Sequence, residues 1–211
     1  MLSTFSLAAP AVPAPAAAVD LRQLRHHTKN ALQRILCQLA KSRELQDTPA
    51  GQRLVSDLER RVHLSSTVSD ALFGLTRAPG PLAGRLEQLG EALVELLGDE
   101  DQLIRVSVFV DPATPATLDD HLLRIANEFI GNAVKHGLYA RSVGHITVRV
   151  EPVPGRGVRL EVLDDGWGFR CAPEQGEGMR LAQALAADAA GAVTLGCRGG
   201  LTLAAATLHP A

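Results

Sequence analysis

Asn127-Glu128-Phe129-Ile130-Gly131-Asn132-Ala133-Val134-Lys135-His136 is the stretch of this 211-residue chain that decides its fold. On a helix, Glu128, Asn132 and Lys135 project within about 60° of one another. They flank an apolar row made by Leu122, Ile125, Phe129 and Ala133. A carboxylate, an amide oxygen and an ammonium in this arrangement suit a hydrated Mg²⁺ ion and nucleotide phosphates, because Mg²⁺ prefers oxygen ligands. Taken alone, the segment could also be an ordinary amphipathic helix with solvated charges.

Two glycine pairs follow this segment. Residues 158–163 form an apolar strand that leads directly into Asp164-Asp165-Gly166-Trp167-Gly168. Such glycines let backbone approach a ligand closely, and Asp164 could accept a hydrogen bond from an exocyclic amine. Gly176-Glu177-Gly178 then opens a helix, whose free N–H groups and dipole favour a phosphate. Either pair alone could be only a turn, and Trp167 is expected to be a local packing residue.

Hydrophobic periodicity predicts an α/β sandwich around these motifs. A helix is expected at about 118–136, with Thr117 as its N-cap and Gly137 at its end. The other expected elements are helices at about 82–97 and 179–187, strands at 103–110, 146–150, 158–162, 192–197 and 201–208, and a hairpin turn at 154–157.

The N-terminal part predicts a different architecture. Apolar residues recur at helical spacing over 21–41, with Asp20 as a cap, and again after the turn Asp47–Gly51. A two-helix hairpin exposes half of each stripe, so we expect it to dimerise into a four-helix bundle. Ala78-Pro79-Gly80-Pro81 marks the boundary. The class is therefore α+β: an Ala/Pro-rich flexible tail at 1–19, a helical hairpin at 20–77 and the sandwich at 82–211.

Two adjacent histidines lie in the first predicted helix, within Arg25-His26-His27-Thr28-Lys29-Asn30. Successive helical residues point about 100° apart, so the two cannot have equal roles. His26 points away from the apolar stripe and His27 lies at its flank. His26 is thus the exposed imidazole, with Asn30 one turn further along the same face. A surface histidine without a function is the alternative, and a metal site is disfavoured because no third ligand lies nearby.

Composition excludes several classes of protein. The net charge of −2 and the 3% aromatic content give no field or stacking surface for nucleic acid. Three scattered cysteines fit no disulfide framework and favour a reducing cytosol. The apolar runs are shorter than the roughly 20 residues of a membrane span. We expect a cytoplasmic protein that binds neither nucleic acid nor membrane.

The order of these motifs resembles the histidine kinases of two-component signalling, in particular the HWE and related HisKA-type subfamilies. The resemblance covers about Asp20 to His209. His26 to Asn30 is similar to the phosphoacceptor H-box, residues 127–136 to the N-box, 164–168 to the DxGxG box and 176–178 to the second glycine box. The resemblance implies a catalytic domain of the GHKL ATP-binding fold, shared with gyrase and MutL proteins.

The resemblance also implies roles for individual residues. His26 would be phosphorylated by ATP and pass the phosphoryl group to an aspartate of a response-regulator receiver domain. Asn132 would coordinate Mg²⁺, Asp164 would bind the adenine amine, and Glu128 would polarise a water or metal ligand. The remaining nucleotide-binding residues would be Asn127, Lys135, His136, Gly166, Gly168, Gly176 and Gly178. A homodimer is expected from the hairpin. In departure from the family pattern, residues 1–19 cannot form a sensor domain, so we expect the signal to come from a partner, or there is none.

Two departures from the family pattern leave alternatives open. His27 stands where many of these kinases have an acidic residue, so the base is unassigned, and the segment Arg170–Gln175 is shorter than the usual ATP lid. A phosphorelay adapter with a kinase-like body and little or no ATP use is therefore an alternative. An anti-sigma switch kinase of the same fold is another, although it gives the hairpin no task. Asn30 is a candidate phosphatase residue.

Overall fold

The computed structural model describes residues 28, 30–73, 80–99, 101–155, 157–168 and 176–210. The chain divides into two compact units, Met1–Val62 and His63–Ala211, and each is described by itself. This division falls inside a helix, whereas the sequence places the boundary at 78–81, of which 78 and 79 lie outside the described residues. The domain limits drawn from the sequence therefore stay a prediction. The tail at 1–19 and the pair His26 and His27 also lie outside the described residues.

The first unit contains the predicted helices, with different ends. Helix α1 is seen over residues 30–40, a short helix α2 spans Arg43–Gln46, and α3 spans Pro49–Phe73 and continues into the second unit. Thr48 Oγ1 accepts a hydrogen bond from Gly51 N at 3.0 Å and so caps α3, with a proline at its first position. The expected turn Asp47–Gly51 was therefore too long, because its last three residues already belong to α3.

The second unit is built on a mixed sheet. Among its described residues, five strands lie in the order β1-β2-β3-β5-β4. Strands β1 and β2 are parallel and the other neighbouring pairs are antiparallel. The bounds are β1 Leu103–Val110, β2 Val143–Val153, β3 Gly157–Asp164, β4 Ala192–Arg198 and β5 Leu201–Leu208. The bounds predicted for β1 and β5 are confirmed, and the other strands extend the predictions by a few residues.

Helices α4, α5 and α6 cover one face of this sheet. They span Leu82–Leu97, Asp119–Asn132 and Glu177–Asp188. The apolar row of α5 faces the strands, with Leu122 and Ile125 at 0% exposure and Phe129 at 1%. Burying each such side chain contributes roughly 1.5–3 kcal/mol. The predicted α/β sandwich is confirmed, and the long helix with its motif forms the centre of the core.

The ends of α5 differ from the prediction. Thr117 is not its N-cap, because residues Ala116–Leu118 form a 3₁₀ turn and the capping position falls on Leu118, without a side-chain bond. Asp119 and Asp120 in the first turn instead complement the helix dipole. At the other end the helix widens into one π turn, Ala133–Gly137, which closes with Leu138 N donating to Ala133 O at 2.8 Å.

Arg85 ties α4 to the end of α3. It is only 7% exposed, and its Nε donates to Ala71 O at 3.1 Å while Nη2 donates to Leu72 O at 3.4 Å. Both carbonyls lie among the last three residues of α3 that the structure describes. Asp120 Oδ1 lies 3.6 Å from Nη2. One buried guanidinium therefore links α4 to α3 and to the first turn of α5.

Within the described part of the chain, no helix combines the length and apolarity that a bilayer span requires.

Replacing Arg85 by methionine keeps much of the side-chain volume but removes its hydrogen bonds to the carbonyls of Ala71 and Leu72. We expect the free energy of unfolding, measured with urea, to fall by about 1–3 kcal/mol. Arg105→Met, at an exposed position of β1, is the matched control and should change it by no more than about 0.5 kcal/mol. Equal stability of the two variants would contradict the linking role of Arg85.

Candidate functional site

A cavity of about 360 Å³ opens in the second unit between the end of α5, the loop after β3 and the start of α6. Ligand pockets commonly enclose roughly 300–1,000 Å³, so it can hold a group such as a nucleotide base. Buried Phe129 forms part of its wall, and Leu195 and Ala204 line it from the sheet. Its surroundings are therefore apolar, with a few polar groups that converge on the cavity.

The cavity brings together residues that are far apart in the sequence. The predicted nucleotide-binding residues that line it are Asn132, His136, Asp164, Gly168, Gly176 and Gly178. Those that do not line it are Asn127, Glu128, Lys135 and Gly166. Asn132 is half-buried and His136 is exposed at the mouth. The end of the long helix and both glycine pairs thus surround one space.

Asp164 is the buried carboxylate of the cavity. It is 5% exposed, and its Oδ1 accepts a hydrogen bond from Gly166 N at 3.0 Å. A Cβ on Gly137 would lie only 2.5 Å from that same Oδ1, and a Cβ on Gly166 would collide with Gly137 O. Trp167 N donates to Gly137 O at 2.9 Å. Glycine is required at both positions because the carboxylate and the two backbone segments are in direct contact.

Burial controls the electrostatics of this group. Burial raises the pKa of Asp164 above its ordinary 3.8, and the Gly166 N–H opposes that rise. Thr202 pairs with Asp164 across β3 and β5, and its proximity also lowers the pKa of the carboxyl. Even so, the buried Thr202 Oγ1 makes no hydrogen bond of ordinary geometry within the described residues. The cavity therefore contains an acceptor and a hydroxyl that a polar ligand would satisfy.

Glu128 is oriented toward the second glycine pair. Asn127 Nδ2 donates to Glu128 Oε1 at 2.9 Å, and a Cβ on Gly178 would collide with Glu128 Oε2. The carboxylate thus lies at the N-terminus of α6, where a negative charge is favourable. The resemblance implies that Glu128 polarises a water or metal ligand, and the sequence predicts that the N-terminus of α6 binds a phosphate. The structure places the two features in contact.

The other predicted residues are distributed as follows. Lys135 is exposed on the π turn, and Asn30 is exposed on α1, where its carbonyl accepts from Arg34 Nε at 3.2 Å. His26 and the lid segment 170–175 lie outside the described residues. Trp167 is 58% exposed, so its ring is not part of the buried core, but it makes local contacts with Tyr139 O and the Arg141 guanidinium.

Asn132 is the pocket-lining residue that would hold Mg²⁺. Its amide oxygen is the type of ligand that the ion accepts, and a nucleotide-bound Mg²⁺ needs only one or two protein ligands besides phosphates and water. Over the described residues, no three His, Cys, Asp or Glu side chains come together as a metal cluster. The donor set thus fits an ion that arrives with the nucleotide and does not fit an all-protein metal cage.

Sequence reasoning missed the residues that the sheet contributes. Leu195, Thr202 and Ala204 lie on β4 and β5, and the pairing of β5 with β3 brings them to the cavity. Strand pairing is non-local, so no local pattern reveals it. The sequence of residues 201–208 does not alternate regularly between apolar and polar residues, so it gave no signal that Thr202 faces the cavity.

Solved structures similar to this chain include histidine kinase domains and a bacterial phosphotransferase. The histidine kinase domain of the blue-light activated kinase EL346 from Erythrobacter litoralis matches over 86% of this chain and 94% of its own, with a TM-score of 0.56 and 20% identity. Full-length ShkA, solved in complex with AMPPNP, matches over 90% of this chain, with a TM-score of 0.52 and 22% identity.

The chain has the fold of a histidine kinase domain.

This fold confirms the resemblance to histidine kinases drawn from the motifs, and the chain spans 45% of the length of ShkA. A bacterial phosphotransferase shares the histidine kinase fold over 93% of this chain and 98% of its own, with a TM-score of 0.55 and 14% identity. No protein-family model and no curated protein matches the chain.

Replacing Asp164 by asparagine separates stability from binding. Because the folded-state pKa is raised, the folded protein loses this proton at a higher pH than the unfolded chain does, so ionisation costs stability above about pH 3.8. At pH 7 we expect Asp164→Asn to unfold at a higher urea concentration than wild type, and at pH 3.5 the difference should vanish.

The same variant should bind Mg·ATP about tenfold more weakly in calorimetry, because a charged acceptor is lost. Asp101→Asn, at an exposed position, is the control and should change neither quantity. A variant that is less stable than wild type at pH 7 and binds nucleotide equally well would refute this account.

Proposed function

We propose that the chain is an ATP-dependent protein-histidine kinase of two-component signalling, which phosphorylates its own His26. The phosphoryl group then passes to an aspartate of a response-regulator receiver domain. The observation that carries the proposal is the cavity in which buried Asp164 and Thr202 meet the Asn132 end of the long helix. The shared fold with the EL346 kinase domain supports it.

The polar groups of the cavity match the parts of a nucleotide. Asp164 would accept a hydrogen bond from the adenine amine, and the apolar walls would enclose the ring. Asn132, Lys135 and His136 follow one another along the helix toward the exposed mouth, where phosphates and Mg²⁺ would lie. Phosphoryl transfer needs mainly positioning and charge neutralisation, which these side chains supply.

His26 would act as the nucleophile. ATP supplies the phosphoryl group, a bond forms between an imidazole nitrogen and the γ-phosphorus, and ADP leaves. The imidazole must be neutral to attack, and a pKa near 6.5, ordinary for histidine, makes that form available near neutral pH. Asn127 would assist at the phosphates, and Glu128 would polarise a water or metal ligand.

A homodimer would complete the helical part. In the single chain, Ile35 of α1 and Leu54 of α3 are each 52% exposed, and Leu32 is 40% exposed. Apolar stripes left open in this way are covered when two hairpins form a four-helix bundle. We propose that assembly and a cytoplasmic location.

A phosphorelay adapter that shuttles phosphate through His26 with little or no ATP use is the second candidate. The fold match to a bacterial phosphotransferase covers nearly the whole of both chains, which favours this alternative. Glu128 also places a carboxylate at the N-terminus of α6, where it would compete with a phosphate. Binding of Mg·ATP that depends on Asp164 favours the kinase over the adapter.

Incubation with Mg·ATP labelled in the γ-phosphate tests the kinase directly. Wild type should acquire acid-labile phosphate, and His26→Ala should acquire none while its affinity for Mg·ATP stays within about twofold. Asn132→Ala, in contrast, should lose affinity: it should bind Mg·ATP at least about tenfold more weakly than wild type.

His27→Ala is the matched control, because it removes the neighbouring imidazole and should still be labelled. A wild-type protein that binds nucleotide but never acquires acid-labile phosphate would defeat the kinase. Transfer from a phosphorylated receiver to His26 in that same protein would establish the adapter instead.

Asn30 follows His26 closely in the sequence and is exposed on α1, so it could orient a water that removes phosphate from the receiver. We expect Asn30→Ala to slow receiver dephosphorylation at least about fivefold, with unchanged labelling of His26. An unchanged rate of receiver dephosphorylation would show that Asn30 has no phosphatase role. Arg34→Ala, at another exposed position of α1, is the control variant.

A further inference from the structure

The turn over residues 138–142 joins the end of the long helix to β2 beside the cavity. Leu138 at its start is fully buried, and Ala140 has a φ of +56°. A non-glycine residue in the left-handed region costs on the order of 1 kcal/mol and persists where its surroundings hold it. Backbone bonds hold the turn in part, with Arg141 N donating to Leu138 O at 3.1 Å and Leu103 N donating to Ser142 O at 2.9 Å. Two residues outside the turn, Gln102 and Trp167, add further hydrogen bonds to it.

Gln102 holds the turn from the start of β1. Its Nε2 donates to Leu138 O at 2.9 Å and to Arg141 O at 3.0 Å, so both amide hydrogens are used. Its Oε1 accepts from Asp99 N at 3.0 Å, which fixes the orientation of the amide. One side chain thus bridges both ends of the turn and is itself held by the backbone before it.

Trp167 holds the turn from the loop after β3. Its backbone N donates to Gly137 O at 2.9 Å, and its indole Nε1 donates to Tyr139 O at 2.8 Å. The Arg141 guanidinium lies 5.7 Å from the ring centroid, within cation–π range. Because Trp167 is 58% exposed, it contributes to the turn mainly through its two N–H hydrogen bonds and less through buried apolar contact.

Gln102 and Trp167 together fix the turn relative to both walls of the cavity. The carbonyls of Gly137, Leu138, Tyr139 and Arg141 all accept hydrogen bonds from these two residues. On one side of the turn, His136 and Gly137 line the cavity, and next to Trp167 so does Gly168. A shift of the turn would therefore change the spacing between the helix wall and the Asp164 wall.

We propose that Gln102 and Trp167 are positioning residues that set the width of the nucleotide cavity by clamping residues 137–141 between them. The inference rests on the proposed function for the identity of the ligand. Neither side chain lines the cavity, so each acts through the turn. The chain has a single tryptophan, and its fluorescence therefore reports on the clamp itself.

Calorimetric titration with Mg·AMPPNP tests the clamp, well below the melting temperature of each protein. Gln102→Met keeps the volume and removes the hydrogen bonds, and we expect its Kd to rise about tenfold. Trp167→Phe keeps a ring and removes the indole N–H, and we expect a rise of about three- to fivefold. The double variant should show about the effect of Gln102→Met alone, because both residues act on one turn.

Fluorescence anisotropy gives a readout that does not depend on nucleotide. In Gln102→Met the anisotropy of Trp167 should fall, because the carbonyl that holds the indole is no longer fixed. Phe109→Ala, which removes a 57% exposed aromatic side chain from β1, is the control for both measurements and should change neither.

The outcomes separate the clamp from the proposed function. An unchanged Kd in both single variants, or strictly additive effects on Kd in the double variant, would overturn the clamp even if the melting temperatures fall.

If wild type does not bind Mg·AMPPNP, the proposed kinase activity is refuted, and the clamp is then tested by fluorescence anisotropy alone. A lower Trp167 anisotropy in Gln102→Met supports the clamp, and an unchanged anisotropy overturns it.

Discussion

The contact between the Asp164 carboxylate and two glycine backbones is the constraint on which the rest of the site depends. Gly137 ends the long helix and Gly166 follows the third strand, and neither position has room for a Cβ. Two motifs separated in sequence are therefore one physical unit. Burial raises the pKa of Asp164, so the folded chain carries a cost that a hydrogen-bond donor from a ligand would offset.

Local patterns in the sequence were sufficient for the elements with strong periodicity. The bounds of α4 and β1 follow from apolar spacing, because each has one more deeply buried face. Those of β5 were also predicted correctly, although neighbouring Ala205 and Ala206 are both buried. The predicted cap at Thr117 failed because a 3₁₀ turn ahead of the helix moved the capping position by one residue. The π turn and the contribution of Thr202 depend on tertiary contacts, which a single sequence does not display. The same holds for Trp167, whose role follows from the position of a distant carbonyl.

The fold accommodates both a kinase and an adapter, and the difference between them lies in a few groups. Asp164, Thr202 and Asn132 converge on a cavity that suits a base and a metal-bound phosphate chain. Glu128 at the N-terminus of α6 opposes a phosphate there. A kinase of this design would bind nucleotide weakly and depend on the fixed spacing of the cavity walls. The turn over residues 138–142 would then affect nucleotide affinity, because it fixes the spacing of those walls.

Calorimetric comparison of Mg·ATP with Mg·ITP tests the central claim most directly, since the two nucleotides differ in the exocyclic amine that Asp164 would accept. The account predicts that wild type binds Mg·ATP at least about tenfold more tightly than Mg·ITP, because a hydrogen bond to a buried charged acceptor is lost with inosine. Equal affinities would contradict it, because Asp164 would then make no contact with the base.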